Sequence, residues 1–230
     1  MKNLVIKILE QITLFKQRHN LKMVKSYLNG KGIEIGPGEN PFIKKNIVYV
    51  DKFPPKNNNN FVACDADNLF SFSDNEFDFL YSAHCLEHMP NAIKTIIEWT
   101  RVLKPGGVIC AVLPHIDRTF DKGRSRTTLK HLINDYELNA DFTDETHWSE
   151  FAEISIVQAK PAWLNENDAY DEEGNLNLKW MAETGKIHYH AWDQDTFIEV
   201  LKYLGLKILL VLDCCSWRED SFCVVAQKAS

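Results

Sequence analysis

Gly32 to Phe42 reads GIEIGPGENPF: a short run carrying Ile33 and Ile35 passes straight into Gly36-Pro37-Gly38. Glycines at this place let backbone amides approach a ligand closely and adopt dihedrals that a Cβ forbids. A G-x-G pair alone is a weak signal, and the dinucleotide fingerprint would want a third glycine where Pro41 stands. Working outward, apolar runs at Ile47–Val50, Phe61–Cys64, Phe77–Tyr81 and Val108–Leu113 read as strands. Ala92, Ile93, Ile96, Ile97, Trp99, Val102 and Leu103 form the buried stripe of a helix that Lys104-Pro105-Gly106-Gly107 stops. Strands rich in Val and Ile, separated by helices, predict an α/β fold with a doubly wound, mostly parallel sheet.

The composition agrees with one domain spanning residues 1–230. The chain has 230 residues, 45% of them apolar and 25% charged, which suffices for one sizeable core. Lys plus Arg number 26 against 32 for Asp plus Glu, a net charge of −6, so a general nucleic-acid footprint is not expected. Six cysteines without zinc-module spacing predict free thiols and a cytoplasmic home. No run approaches the roughly 20 apolar residues of a membrane span. At the N-terminus Leu4, Val5, Ile8, Leu9, Ile12 and Phe15 recur at helical spacing, and residues 1–29 are read as an amphipathic helical cover for the core.

Behind the glycine pair comes an ordered series of polar residues at predicted strand ends. Asp51 closes IVYVD, where a carboxylate would accept from a ribose diol. Asp65 closes FVACD, where it would take an amine proton from a purine with the Ala66 amide beside it, and FDFLYSAHCLEHM and RVLKPGGVICAVLP follow. This order resembles a class I S-adenosylmethionine-dependent methyltransferase over residues 30–114 and the terminal helix and strands. The resemblance implies that S-adenosylmethionine is the cofactor. It further implies that Glu34 acts near the methionine part or on the loop, that Gly36, Pro37 and Gly38 form the loop, and that Asp51 and Asp65 meet ribose and adenine. Ser82 and His84 would lie between donor and acceptor. Asn40 stands where many relatives carry a third loop glycine.

Spacing sets this sequence apart. About ten residues separate the first strand from the second, and a short Pro-, Lys- and Asn-rich stretch separates the second from the third, whereas a parallel crossover takes a dozen or more. The first two crossovers are therefore expected to be turns, with the N-terminal helix covering the sheet they leave bare.

From His115 to His190 the chain is polar, aromatic and loop-like, too long for a simple connection, and is read as an inserted acceptor-binding lid. Seven of the eight histidines follow residue 83. His84 and His115 follow the fourth and fifth strands, where an open parallel sheet exposes its crevice. His188 and His190, in IHYHAW, would share one face if extended. These four are the candidate bases for an oxygen acceptor. Arg118, Arg124 and Arg126, with His147, are candidates to bind an acceptor, an anionic one if the arginine forks are free. His84 and His88 at i and i+4 would share a helix face suited to a metal, but no metal site is assigned.

The sequence thus predicts O-methylation of a small molecule or a glycan or nucleotide-sugar precursor. The insertion is similar to methyltransferases that accompany bacterial surface-polysaccharide synthesis. A nucleotide-binding regulator that keeps the fold, and a nicotinamide-dependent oxidoreductase, are the alternatives; the intact Asp51, Asp65 and glycine pair count against the first, and Pro41 and the short first crossover against the second.

Overall fold

The computed structural model describes residues 18–56, 58, 60–164, 169–171, 173–215 and 218–230. The apolar positions at Leu4 to Phe15 lie outside the described residues. Seven strands form one sheet: β1 (Gly32–Ile35), β2 (Ile47–Asp51), β3 (Phe61–Ala63), β4 (Phe77–Ala83), β5 (Leu103–Pro114), β6 (Lys207–Leu212) and β7 (Ser221–Gln227). Their order is β3-β2-β1-β4-β5-β7-β6, parallel except for β7, which runs antiparallel to β5 and β6. This is the Rossmann-like fold of class I methyltransferases. β5 starts earlier than the Lys-Pro-Gly-Gly run predicts, because Leu103 already pairs with Phe77 before a bulge resets the register at Val108.

The switch in strand order decides where the helices go. Right-handed crossovers moving from β4 to β5 and onward place their helices on one face, and those moving from β1 to β2 to β3 place theirs on the other. On the first face α2 (Ala92–Val102) and, later in the chain, α6 (Gln194–Tyr203) bury Ile93, Ile96, Trp99, Phe197, Val200 and Leu201 against Ile33, Leu80 and Ile109. Asn91 caps α2 by accepting from the Lys94 amide, and Asp193 caps α6 by accepting from Thr196. On the second face residues 36–46 and the described part of 52–60 contain no helix. Its cover is a helix over residues 18–27, α1, whose Val24 is fully buried, together with Phe42 and Ile43 of the loop after β1. Phe42 stacks on Tyr81 at 4.6 Å between ring centroids.

Between β5 and α6 the chain builds a further unit: α3 (Leu129–Glu137), a short turn at Glu145–His147, α4 (Trp148–Glu150) widening into a π-helix over Phe151–Gln158, and α5 (Leu178–Glu183). Trp148, Phe151, Ile156, Met181, Ile187 and Tyr189 give it a hydrophobic cluster of its own. It is moored to the sheet edge where the Tyr189 amide donates to the Glu87 carbonyl (2.8 Å).

Candidate functional site

Parallel registration aligns the carboxyl ends of four strands. Ile35 lies beside Val50 and Ser82, Asp51 beside Ala63, and Ala83 beside Val112. The residues that follow, Gly36, Cys64 and His84, thus meet Asp51 along one edge and line an inner cavity of about 190 Å³ with Lys52, Ala66, Cys85, His88 and Met89. Gly36 takes φ +68°, and a Cβ there would lie 3.0 Å from the Cys85 Cβ, so any other residue would be strained at this turn. Gly38 also has positive φ, and its amide donates to Asp51 Oδ2 (3.0 Å) while the Phe53 amide donates to Oδ1 (2.8 Å). Asp51 thereby fixes the loop and keeps a lone pair on each oxygen for a diol. The Trp99 indole donates to the Ala66 carbonyl (2.9 Å), so α2 holds the strand-end peptide in place.

Three residues expected at the cofactor act one step back. Glu34 is buried and its carboxylate accepts from the Phe42 and Ile43 amides (2.7 and 3.0 Å), closing the loop rather than entering the cavity. Burial raises its carboxyl above the ordinary value against those two bonds. Ser82 is buried and donates to the Ile35 carbonyl (3.2 Å), stitching β4 to β1. Asp65 pairs with Lys52 (2.9 Å), whose ammonium also sits 4.0 Å from the Phe142 ring centroid; Cys64 and Ala66, not Asp65, line the cavity.

A second, outer cavity of about 520 Å³ opens beside the first, lined by Pro114, Thr119, Phe120, Trp163, Lys186, His188, Arg218 and Asp220. His84, His88 and Gly185 line both cavities, so these three mark the junction. His84 holds φ +54°, uncommon for a non-glycine residue, and its Nε2 meets Ser221 Oγ at 2.7 Å. Ser221 Oγ donates to Asp220 (2.7 Å), so it accepts from His84 Nε2 and leaves Nδ1 bare. Burial pushes both His84 and His88 down to about 3, keeping them neutral.

His188 carries the most organised proton-accepting geometry. Its Nδ1 lies 2.5 Å from Asp121 Oδ2, and Asp121 also takes hydrogen bonds from Arg124 (2.9 Å) and Ser155 (2.8 Å). Burial pushes the Asp121 carboxyl up, but the His188 and Arg124 partners outweigh it and hold the group well below the usual carboxylate range. Beneath His84 and His88 lies Glu87, fully buried, with neither carboxylate oxygen hydrogen-bonded among the described residues. Burial pushes it up to about 7, partly offset by His188.

The remaining predicted residues lie elsewhere. His115 lines neither cavity; its Nδ1 accepts from the Asp117 amide (3.1 Å) and caps the turn Ile116–Arg118. His190 is fully buried against Asp135 (3.0 Å), so it and His188 reach different partners and do not share one site. His147 is buried beside the same Asp135. Arg124 is a buried structural cation, bonded to Asp121 and the His188 carbonyl, while Arg118 pairs with Asp213, and Arg126 pairs with Asp117 and Asp193. The cations that do face the outer cavity are Lys186 and Arg218. Asp121 and Glu87 are not among the predicted site residues: Glu87 stands within FDFLYSAHCLEHM, four residues after β4, and Asp121 lies seven residues after β5, where each looks like any surface acid until the insertion folds over it.

Residues 25–111 match a protein-family model described as a methyltransferase domain. No curated protein matches the chain. Among solved structures, a SAM-dependent methyltransferase from Methanosarcina mazei is 19% identical, with 90% of this chain and 97% of that one covered at a TM-score of 0.51. One from Mesorhizobium loti is 13% identical, with 88% and 93% covered at 0.52. The 1,6-didemethyltoxoflavin-N1-methyltransferase of Burkholderia thailandensis, solved with 1,6-didemethyltoxoflavin and S-adenosylhomocysteine bound, is 10% identical, with 100% and 87% covered at 0.52. At these identities the likeness is one of fold.

Proposed function

We propose that this chain, which carries a class I S-adenosylmethionine-dependent methyltransferase domain, methylates an oxygen of a small polar acceptor held in the outer cavity, with His188 as the general base. The observation that carries the reading is the Asp121–His188 pair at the wall of a cavity continuous in its lining with the inner one. Gly36 and its loop, Asp51 and the Ala66 peptide would hold S-adenosylmethionine in the inner cavity, Asp51 on the ribose. The cofactor, when bound, supplies an electrophilic methyl group on a sulfonium.

The protein's part is alignment and proton removal. Asp121 holds His188 Nδ1–H, which makes Nε2 the proton acceptor and stabilises the imidazolium that results. His84 and His88, neutral at the junction, set the distance between the two compartments without adding charge. Lys186 and Arg218 favour an acceptor bearing phosphate or carboxylate, and the ring faces of Phe120 and Trp163 suit a flat or sugar-like body. A glycan or nucleotide-sugar precursor has that chemistry. Residues 115–190 then serve as the acceptor lid, since Phe142, Ala182 and Gly185 of that span reach the inner cavity. The six free thiols accord with a cytoplasmic setting, and among the described residues no helix is long and apolar enough to cross a membrane.

Calorimetric titration with S-adenosylhomocysteine, followed by an acceptor screen read by mass, tests this. His188→Ala is expected to keep S-adenosylhomocysteine affinity and lose turnover. Unchanged turnover would remove His188 as the base, and binding of NAD in place of S-adenosylhomocysteine would overturn the function.

A further inference from the structure

Four side chains from three separate segments converge beside α3. His131 and Asp135, at i and i+4, project from one face of that helix. His147 comes from the turn Glu145–His147, and His190 from the extended stretch before α6. Their potential ligand atoms all lie within 4.8 Å of one another. Asp135 Oδ2 lies 3.0 Å from His190 Nε2, 3.3 Å from His131 Nε2 and 3.6 Å from His147 Nε2, and the last two nitrogens are 2.9 Å apart.

Those separations are four of the six edges of a small tetrahedron, and the other two are within 4.8 Å. Zinc binds imidazole nitrogen at about 2.0–2.1 Å and carboxylate oxygen at about 2.0–2.2 Å, so two ligands of a tetrahedral ion sit about 3.3–3.4 Å apart. The observed distances straddle that value. Protonation points the same way. Thr146 Oγ1 donates to Asp144 Oδ1 (2.6 Å) and therefore accepts from His147 Nδ1 (3.2 Å), which leaves His147 Nε2 as a bare lone pair facing the cluster. His131 and His147 nitrogens at 2.9 Å cannot both carry protons, and three imidazoles crowd a single carboxylate oxygen. Asp135, His147 and His190 are buried; the His131 side chain is 43% exposed and, with Thr146, His147 and Tyr189, borders a surface cavity that gives an ion a way in.

We propose that His131, Asp135, His147 and His190 bind one zinc ion as a closed structural site. All four positions are filled by protein, so no water is left to activate and the ion's work is to clip. It joins α3, the 145–147 turn and the 187–192 stretch, and so fixes the backbone that presents His188 two residues away. The site does not depend on what the outer cavity binds.

Protein purified without a polyhistidine tag is expected to contain one zinc per chain by elemental analysis. Removal by chelator should lower the thermal midpoint, and zinc alone added back should restore it. Cobalt substituted into the stripped protein should give the strong visible absorption of a four-coordinate ion. His131→Ala, at the half-exposed ligand, is expected to lose the zinc and the cobalt band while far-ultraviolet circular dichroism stays native; if this variant does not fold, add-back to the stripped wild type decides. A wild-type chain whose midpoint does not respond to zinc, or a folded His131→Ala that still holds one zinc per chain, would overturn the site.

Discussion

The inner cavity and the unit over it are built by opposite means. The inner cavity is made by backbone: four parallel strand ends, a glycine at φ +68° and amides that close onto Asp51 and Glu34. The 115–190 unit is made by buried charged and aromatic side chains. Asp121 binds Arg124 and His188, and Asp135 gathers three histidines. Sheet topology can place a ligand-binding edge with few long-range side-chain bonds, whereas a long insertion with no strand among its described residues has to purchase its order with paired groups that are costly to bury.

That contrast breaks most readily at Asp121. Asp121→Asn takes the 2.9 Å partner from buried Arg124 and leaves it only Glu150, 3.5 Å away, as counter-charge; removing one partner of a buried pair costs about 3–5 kcal/mol, and urea unfolding at pH 7 should show a loss up to that order. The sign with pH follows from the depressed carboxyl: its contribution is complete above the unfolded value of 3.8 and lost as the pH falls through the lower folded value, so wild type and variant should converge only in strong acid. An equal gap at all pH values would mean that the charge is not what orders this unit.

On the other side, Asp51→Ala should weaken S-adenosylhomocysteine binding by about 1–3 kcal/mol, the scale for lost charged hydrogen bonds, with a smaller change in unfolding free energy than Asp121→Asn. Unchanged affinity would show the ribose assignment to be misplaced. One contact across the seam between the two regions is Phe142 over Lys52, and Phe142→Ala should cost about 0.5–1 kcal/mol of unfolding free energy through the lost cation–π contact. A loss of S-adenosylhomocysteine affinity as large as that of Asp51→Ala would mean that the Phe142 ring, which lines the inner cavity, holds the cofactor directly.

The same contrast explains how much could be read from the chain. Strand identities, the glycine loop, Asp51 and the missing crossover helices follow from periodicity, turn residues and segment length, all local properties. Glu34 and Ser82 are expected beside the cofactor, but whether such a side chain faces the ligand or the neighbouring loop and strand depends on rotation by one position, which the sequence does not record; Glu34 bonds the Phe42 and Ile43 amides and Ser82 the Ile35 carbonyl. In the insertion locality fails. His188 and His190 are two residues apart yet serve Asp121 and Asp135, which lie 67 and 55 residues away in the chain. The arginines there resemble an anion site in sequence partly because two of their carboxylate partners, Asp213 and Asp193, come from beyond the insertion.

The uneven dressing of the sheet also bears on how the molecule opens. One face is covered by α2 and α6, each tied by short connections to the strands it packs on, and the other by α1 and the Phe42 loop. α1 is not a strand of the sheet, so its release would expose Val24, Tyr81 and Phe79 without separating any strand pair. Its amides are therefore expected to exchange faster than those of β4 and β5, a difference that native-state hydrogen exchange would read.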